Sequence, residues 1–397
     1  MKKTYLFYKN LIAGRNMPCA VLDLDMFYEN ADAIIYKAGI KKIRIASKSI
    51  RCTKALQFLM ERHEKFTGIM TYSGEETHFL ADKGFDDFLL GYPIVNKAII
   101  ERLCIQIKSG KQICFMTDSP FHLKILEETG KKINCTIPVC IDYDLSDDYL
   151  FLHFGVRRSG IKNLQSLKQY LSELKKSEHI RLDGLMGYEA QVAGIGDTTF
   201  GKGIKSNLVQ LLKKKAIENS ARKRAEAVKF LRNEGYSLRF INGGGTGSID
   251  STCQEESVTE VTVGSGFFNG HLFDNYANFK FQPALFFALE IVRKPSDRVF
   301  TCFGGGYIGS GATGIEKMPK IYLPEGGFLD KNEGAGEVQT PVVYKKITEP
   351  LNIGDPIFFR HSKSGEICER FNEIITVSDG RDLQSIPTYR GEGYNFG

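Results

Sequence analysis

The sequence predicts an α/β fold, a (β/α)8 TIM-type barrel followed by a C-terminal mainly β domain. Two patterns carry this prediction. From about residue 43 to residue 263, short apolar runs alternate with longer stretches of helical periodicity, as in repeated strand–helix units. After about residue 270, β-branched and aromatic runs are separated by closely spaced glycine and proline turns. The chain has 397 residues, which is enough for two hydrophobic cores.

The predicted barrel strands are short and apolar on both faces, as buried parallel strands are. They are Ile43 to Ser47, Thr67 to Thr71, Asp87 to Leu90, Gln112 to Thr117, Ile137 to Tyr143, Leu182 to Met186, Ser237 to Ile241 and Thr259 to Val263. The predicted helices are Thr53 to Arg62, one opening at Gly74, Val95 to Ile107, one opening at Ser119, Leu164 to Lys176 and Ser206 to Asn233. Eight units favour a closed barrel, and an open doubly wound sheet is the alternative.

The last part of the chain predicts a compact β domain. Its predicted strands are Val299 to Phe303, Glu337 to Tyr344, Pro356 to Arg360 and Glu373 to Val377. We place the barrel at residues 25–270 and the β domain at residues 271–397, together with residues 1–24. The opening run, Cys19 to Leu24, could pair into either domain.

Composition and charge exclude several classes of protein. The formal net charge of +6 is modest, and no compact basic run predicts nucleic-acid binding. No apolar run reaches the length of a membrane span, so we expect no membrane association. Nine cysteines, an odd number without a Cys-x-x-Cys pair, favour a reducing cytoplasm over a disulfide framework.

Lys48 is the first candidate for chemistry, because it follows a predicted barrel strand. The C-terminal ends of the strands form the reactive face of such barrels. A partly desolvated lysine there can form an imine with a carbonyl compound. The alternative is a solvated lysine within a basic stretch, since lysines are mostly exposed.

Two glycine-rich loops follow the last two predicted strands. Gly243, Gly244, Gly245 and Thr246 form the first loop, and the second contains Gly264 and Ser265. Consecutive glycines let backbone N–H groups approach an anion closely. Loops in this position often bind phosphate in barrels. A phosphorylated cofactor opposite a lysine suggests pyridoxal 5′-phosphate, and a metal-dependent sugar-phosphate enzyme is the alternative.

The chain resembles the fold-type III pyridoxal-phosphate enzymes, the alanine racemase-like barrels, and most of all their D-threonine aldolase and D-serine dehydratase branch. Five segments carry the resemblance in order along nearly the whole chain. They are Met17 to Asp25, Ala46-Ser47-Lys48, His153 to Gly160, Leu185 to Glu189, and Gly243 to Gly247 with Gly264-Ser265.

The resemblance implies roles for individual residues. Lys48 would hold the cofactor as an internal aldimine and then move a proton at the substrate α-carbon. Arg158 would reach the phenolic oxygen side of the cofactor ring, and Tyr188 would lie near the ring. His153 occupies a position where the family often has an acid. Without the resemblance, Arg158 could equally form a surface salt bridge, and Tyr188 would be interpreted as a core aromatic residue.

A divalent metal (Zn, Mn or Mg) is a second cofactor that the resemblance suggests. In this branch a histidine, followed two residues later by an acid or a cysteine, binds a metal that polarises the substrate β-hydroxyl. His361 fits this pattern, but Lys363 stands two residues later and cannot ligate while protonated. Glu366 and Cys368 are the candidate second ligands. The alternative is a turn with one hydrogen-bonded histidine and no metal.

The function that the resemblance implies is that of a lyase. The substrate would be a small, β-hydroxylated D-amino acid that undergoes retro-aldol cleavage or dehydration. Racemisation on the same scaffold is the alternative; the resemblance implies a second base, a tyrosine from the C-terminal domain of the partner subunit, for which Tyr307 is the candidate. A pyridoxal-phosphate-binding protein without turnover is a third possibility, which the large C-terminal domain disfavours. The resemblance also implies a homodimer.

Overall fold

Eight parallel strands close into a barrel in the computed structural model of the chain. The structure describes residues 3–149, 152–194, 196–197, 204–277, 279–312, 314–378 and 381–397. A short helix, α1 (Tyr5–Leu11), precedes strand β1 (Cys19–Asp23) and helix α2 (Leu24–Ala38). The Asp23 side chain caps α2 by accepting a hydrogen bond from the Met26 N–H at 3.2 Å.

The strands that follow are β2 (Lys42–Ala46), β3 (Phe66–Thr71), β4 (Phe88–Leu90), β5 (Ile113–Thr117), β6 (Ile137–Asp142), β7 (Asp147–Tyr149), β8 (Leu152–Phe154), β9 (Ile180–Gly187), β10 (Phe240–Gly243) and β11 (Glu260–Val263). All of them except β7 and β8 form the barrel, in the order β10-β11-β2-β3-β4-β5-β6-β9. Strands β7 and β8 pair as a separate antiparallel hairpin. The closed parallel barrel confirms the predicted fold class.

Helices connect the barrel strands and cover their outer surface. They are α3 (Thr53–Arg62), α4 (Gly74–Asp82), α5 (Lys97–Lys108), α6 (Pro120–Ile133), α7 (Leu164–Leu174), α8 (Ala190–Ala193), α9 (Ile204–Asn233), α10 (Ile249–Thr252) and α11 (Ser265–Phe268). Their buried faces carry apolar residues, such as Leu56 and Leu59 on α3. Helix α6 begins as predicted, because the Ser119 hydroxyl accepts a hydrogen bond from the His122 N–H at 3.3 Å.

The C-terminal part folds as a mainly antiparallel sheet. Its strands are β12 (Leu285–Ser296), β13 (Val299–Phe303), β14 (Lys320–Leu323), β15 (Gly327–Leu329), β16 (Gln339–Tyr344), β17 (Pro356–Arg360), β18 (Glu373–Ser378) and β19 (Arg381–Pro387). Strand β1 joins this sheet, antiparallel to β12 and parallel to β18. Strand β1 therefore belongs to the C-terminal sheet, although it precedes the barrel in the sequence.

Two further properties of the structure are the character of its helices and the state of its cysteines. Within the described residues, none of the helices has both the length and the apolar character that crossing a lipid bilayer requires. All nine cysteines are free, and most of them are buried. Burial raises the pKa of a thiol such as Cys52, to about 12, so these cysteines remain protonated in the core.

Candidate active site

Lys48 lies directly after the first barrel strand. Strand β2 ends at Ala46, and the chain continues into a short 3-10 turn, Ser47–Ser49, with Lys48 at its centre. The turn projects the Lys48 side chain over the C-terminal mouth of the barrel, where its Nζ donates a hydrogen bond to the Tyr92 hydroxyl at 2.6 Å. Tyr92 follows the short strand β4, so the loops after β2 and β4, two strands separated by β3 in the barrel, meet at this contact.

The side chains around Lys48 line a cleft of about 120 Å³ at the barrel mouth. The cleft brings together residues from the ends of β2, β3, β4, β9, β10 and β11. They are Ala46, Lys48, Ser49, Met70, Gly91, Tyr92, Arg158, Met186, Tyr188, Ala193, Asn242, Gly244, Gly245, Thr246, Thr262, Gly264, Ser265 and Phe273. Most of the residues predicted to bind the cofactor therefore share one cavity with Lys48.

Arg158 links the two tyrosines of the cleft. Its guanidinium carbon lies 5.6 Å from the ring centre of Tyr92 and 5.6 Å from that of Tyr188. Burial would raise the pKa of the Tyr92 phenol, but the Lys48 ammonium and the Arg158 guanidinium outweigh burial and lower that pKa. Burial raises the pKa of Tyr188 to about 12, so its hydroxyl stays protonated. The cleft thus holds one acidified phenol beside two cations.

The two glycine loops form a cradle in the cleft that contains Lys48, and the second loop packs beside the Lys48 turn. A β-carbon added to Gly264 would lie 2.8 Å from the Ser49 Cβ and 2.9 Å from the Ala46 main-chain oxygen. At Gly245, a β-carbon would lie 3.1 Å from the Ala193 Cβ. The Ser49 and Ser265 hydroxyls are 3.1 Å apart. The two loops therefore pack so closely on their neighbours that only glycine fits at Gly264 without a shift of the surrounding atoms.

We expect the substitution Gly264→Ala to destabilise this cradle. The new methyl group would overlap backbone atoms that cannot move without shifting strand β2, so we expect a loss of about 1–3 kcal/mol in unfolding free energy. Urea denaturation measures this loss. Gly160→Ala is the matched control, because a β-carbon there would meet no atom within 4 Å. Equal stability of the two variants would contradict the close packing of the cradle.

A buried ion-pair network supports the first glycine loop from behind. Arg224 of α9, whose side chain is fully buried, pairs with Glu189 at 2.6 Å and also with Glu255. The second carboxyl oxygen of Glu189 accepts a hydrogen bond from the Ser248 hydroxyl at 2.7 Å. The same Ser248 hydroxyl accepts one from the Gly245 N–H at 3.0 Å. The network therefore connects helix α9 to the loop that faces Lys48.

Two predicted cofactor residues do not lie in the cleft. Gly243 is the last residue of β10, and a β-carbon added to it would lie 3.0 Å from a guanidinium nitrogen of Arg224. His153 lies in the β7–β8 hairpin, where its Nδ1 is 2.6 Å from an Asp148 carboxyl oxygen and its Nε2 is 3.3 Å from the Val156 main-chain oxygen. Gly243 therefore packs against Arg224 behind the loop. His153 is held by its contact with Asp148 in the same hairpin.

The three predicted metal ligands are not assembled. His361 is fully buried, with Nε2 3.3 Å from the Ser364 hydroxyl. Glu366 accepts hydrogen bonds from the Ser310 N–H at 2.8 Å and hydroxyl at 2.6 Å. Burial raises the pKa of the Cys368 thiol well above its ordinary value. Among the described residues, no group of three or more His, Cys, Asp or Glu side chains could hold a metal ion. The predicted site does not fit a divalent metal.

Tyr92, Asn242 and Thr262 are among the polar residues of the cleft that were not predicted from the sequence. Tyr92 contacts Lys48, and the Asn242 amide donates hydrogen bonds to Thr262 and to Glu260 at 2.8 Å each. All three cleft residues, Tyr92, Asn242 and Thr262, lie at or just beyond the C-terminal ends of barrel strands. The position of Tyr92 directly after a predicted strand was the available signal.

A buried carboxyl group, Glu76, lies behind the Lys48 turn. Its two oxygens accept hydrogen bonds from the Tyr72 N–H at 2.9 Å and the Tyr389 hydroxyl at 3.0 Å. Burial raises the pKa of Glu76 to about 7, against the lowering effect of these donors and of the Ser47 hydroxyl. Glu76 thereby joins the C-terminal segment to the residue that precedes Lys48.

This pKa predicts a pH-dependent stability. Between pH 4.5 and about 7 the folded protein keeps a proton on Glu76 that the unfolded chain has lost. The unfolding free energy therefore falls as pH rises through this window, by up to about 1.4 kcal/mol per pH unit for this group, and levels off above it. We expect Glu76→Gln to remove that part of the slope in urea titrations across the window. An unchanged slope would show that Glu76 titrates as it does in the unfolded chain.

Comparisons with known proteins find one similar sequence and many structures of the same fold. No protein-family model matches the chain. The chain is 21% identical over 249 residues to 3-hydroxy-D-aspartate aldolase of Paracoccus denitrificans (strain Pd 1222). That match covers 62% of this chain and 59% of the relative, less than two thirds of the relative's length.

Solved structures match the chain over nearly its full length. D-threonine aldolase from Filomicrobium marinum superposes with a TM-score of 0.78 at 19% identity, covering 95% of each chain. D-threo-3-hydroxyaspartate dehydratase from Delftia sp. HT23 superposes with a TM-score of 0.76 at 15% identity, covering 94% of this chain and 98% of the dehydratase. The chain therefore has the fold of D-threonine aldolase and D-threo-3-hydroxyaspartate dehydratase, the fold-type III architecture expected from its sequence.

Proposed function

We propose that the protein is a pyridoxal-phosphate-dependent lyase that acts on a small, β-hydroxylated D-amino acid. The reaction would be retro-aldol cleavage or dehydration. The observation that carries the proposal is the position of Lys48, which shares one cleft with two glycine loops and contacts Tyr92 at 2.6 Å. The similarity to an aldolase in sequence, and to an aldolase and a dehydratase in fold, supports the lyase class.

The residues of the cleft fit this cofactor. Gly245, Gly264 and Ser265 line the cleft, and the Ser265 and Ser49 hydroxyls lie 3.1 Å apart beside them. A phosphate group would be held there, and Lys48 would bond to the aldehyde carbon of the cofactor. Arg158 and Tyr188 would flank its ring. The bound cofactor supplies an electron sink for the negative charge that forms at the substrate α-carbon.

The side chains of the protein would position and move protons. Lys48 already donates a hydrogen bond to Tyr92, and the lowered pKa of Tyr92 favours its phenolate form, which can accept a proton within reach of Nζ. When the bond between the α- and β-carbons breaks, a base must take the proton of the β-hydroxyl group. Tyr92 is the candidate base, and Arg158 stabilises its phenolate form.

A substrate panel tests this proposal. The reconstituted protein would be incubated with D-threonine, D-serine, 3-hydroxy-D-aspartate and D-alanine, and with their L-enantiomers, with and without a chelator. A lyase releases glycine and an aldehyde, or a 2-oxo acid and ammonia, from hydroxylated D-substrates only. Conversion of D-alanine to L-alanine without such products would replace the lyase assignment by racemisation.

Racemisation would need a second base on the opposite face of the substrate. Tyr307, the candidate for that base, packs edge-on against the Phe287 and Phe371 rings, 5.1 Å and 5.5 Å away, and does not line the Lys48 cleft of its own chain.

We propose in addition that the protein is a homodimer. We also propose that it works in a reducing, cytoplasmic compartment, because its nine cysteines are free. Sedimentation analysis tests the dimer.

A further inference from the structure

A second cavity, of about 460 Å³, lies beside the Lys48 turn on the side of the C-terminal sheet. His361 lines this cavity together with the residues that follow it in the sequence, Ser362 and Lys363. The charged members of the lining are Arg51, Lys363, Glu366, Glu369, Arg370 and Arg390. The cavity thus contains four cationic side chains and two carboxylates.

The two carboxylates are already engaged by nearby groups. Glu369 pairs with Arg51 at 2.9 Å, and Glu366 accepts two hydrogen bonds from Ser310 and lies 3.5 Å from Lys363. Among the residues that the structure describes, neither Arg370 nor Arg390 has a carboxylate partner. Both arginines line the cavity, are exposed to solvent and lack a carboxylate partner in the described part of the chain, which favours an anion beside them.

The donors of this cavity do not suit a divalent cation. The residue two positions after His361 is Lys363, whose ammonium lies 3.0 Å from the Ser310 hydroxyl and cannot ligate a metal while protonated. A positive side chain at that position repels a cation and attracts an anion. The cavity thus carries the charge opposite to that of a metal-binding acidic site.

The cavity lies next to the predicted reaction centre. The Arg51 Nε donates a hydrogen bond to the Lys48 main-chain oxygen at 3.1 Å, and its Nη1 donates one to the Gly397 main-chain oxygen at 3.0 Å. A β-carbon on Gly365, whose φ is +85°, would lie only 2.0 Å from that Lys48 oxygen. The turn that follows His361 therefore packs directly on the Lys48 backbone, so the cavity lies against the turn that carries Lys48.

We infer that the His361 cavity is an anion site, which binds a small carboxylate or phosphate group and takes the place of a metal. The anion would be either the acidic side chain of the substrate or a separate small ligand. The first of these sources rests on the proposed function, and the binding of an anion does not. Arg370 and Arg390 would hold it by charged hydrogen bonds, with Lys363 beside them.

Calorimetric titration of the full chain with malonate, a small dicarboxylate, tests the site at low ionic strength. We expect the double substitution Arg370→Ala with Arg390→Ala to weaken malonate binding by on the order of 10- to 100-fold. Lys124→Ala, which removes an exposed cation on α6, is the control and should leave the affinity unchanged. An equal malonate affinity of the native protein and the double variant would overturn the proposed anion site. Stoichiometric binding of Mn²⁺ by the native chain, lost in His361→Ala, would also overturn it.

A second titration identifies the source of the anion. In cofactor-loaded protein, binding of D-aspartate and of D-alanine is followed by the absorption of the cofactor. If the substrate side chain occupies the site, malonate competes with D-aspartate and leaves D-alanine binding unchanged. Simultaneous binding of malonate and D-aspartate would overturn that assignment. Failure of the protein to take up the cofactor would contradict the proposed function alone, because the malonate titration does not need the cofactor.

Discussion

Replacing Lys48 by alanine should lower turnover by on the order of 10⁴-fold, the upper range for loss of a positioned proton-transfer group. Lys48 has two proposed tasks, the bond to the cofactor and the proton transfer at the substrate. Its Nζ is the atom that contacts Tyr92 in the cleft. The variant should also bind pyridoxal phosphate reversibly, so that dialysis removes it. Steady-state kinetics with the best substrate of the panel measures the first effect, and absorption after dialysis measures the second.

Lys54→Ala is the matched control for this prediction. Lys54 is an exposed lysine on α3, six residues further along the chain, and its Nζ contacts the Gln57 side chain at 2.9 Å. We expect its removal to leave turnover and cofactor retention within about twofold of the native protein, as for a surface charge. A Lys48→Ala protein that keeps a tenth or more of the native turnover would contradict the assigned role of Lys48.

The substitution Arg224→Leu should lower the unfolding free energy by about 3–5 kcal/mol, because it leaves two carboxylates buried without their counter-ion. Arg224 pairs with Glu189 and Glu255 and donates a hydrogen bond to the Gly187 main-chain oxygen at 3.0 Å. Since Glu189 also holds the Ser248 hydroxyl, the first glycine loop should lose its support and phosphate binding should weaken. Urea denaturation and cofactor titration measure the two effects.

The same helix supplies the control. Arg222 is exposed and pairs with Glu226 one turn later at 3.1 Å, a contact worth at most about 0.5 kcal/mol. Arg222→Leu should therefore unfold at nearly the native urea concentration. If Arg224→Leu is as stable as Arg222→Leu, the network does not support the loop.

The barrel could be predicted because its strands are continuous apolar runs between helical stretches. All eight predicted strands correspond to strands of the barrel, and helix α3 has the predicted bounds, Thr53–Arg62. Strand β10 begins later than predicted, at Phe240, because the preceding residues from Ser237 alternate like a strand without pairing in the barrel. Local pattern shows where a strand can form, and pairing decides where it begins.

Other elements were missed for identifiable reasons. Strand β12 opens with a continuous apolar run, Leu285 to Leu289, which periodicity cannot distinguish from a buried helix. It becomes a strand because β1 and β17 both pair with it, and β1 lies more than 260 residues away in sequence. Helix α2 begins directly at the end of β1, capped by Asp23, and this short junction hides its start.

The site could be predicted only where chemistry depends on local sequence. Lys48 and the glycine loops have signals of their own, since each follows a predicted strand. Support by Arg224 could not be predicted, because Glu189 lies 35 residues away from it in sequence. The sequence alone could not decide the metal ligands for a related reason. Spacing in sequence suggested Glu366 and Cys368, but the fold holds Glu366 against Ser310 and buries Cys368.

Borohydride reduction followed by peptide mapping tests most directly whether Lys48 forms the covalent bond to the cofactor. The native protein would be loaded with pyridoxal 5′-phosphate, reduced and digested, and each peptide would be weighed by mass spectrometry. We expect one modified peptide, which contains Lys48 and carries the mass of the reduced cofactor. Modification of a different lysine, or the absence of any modified peptide from a fully loaded protein, would contradict it.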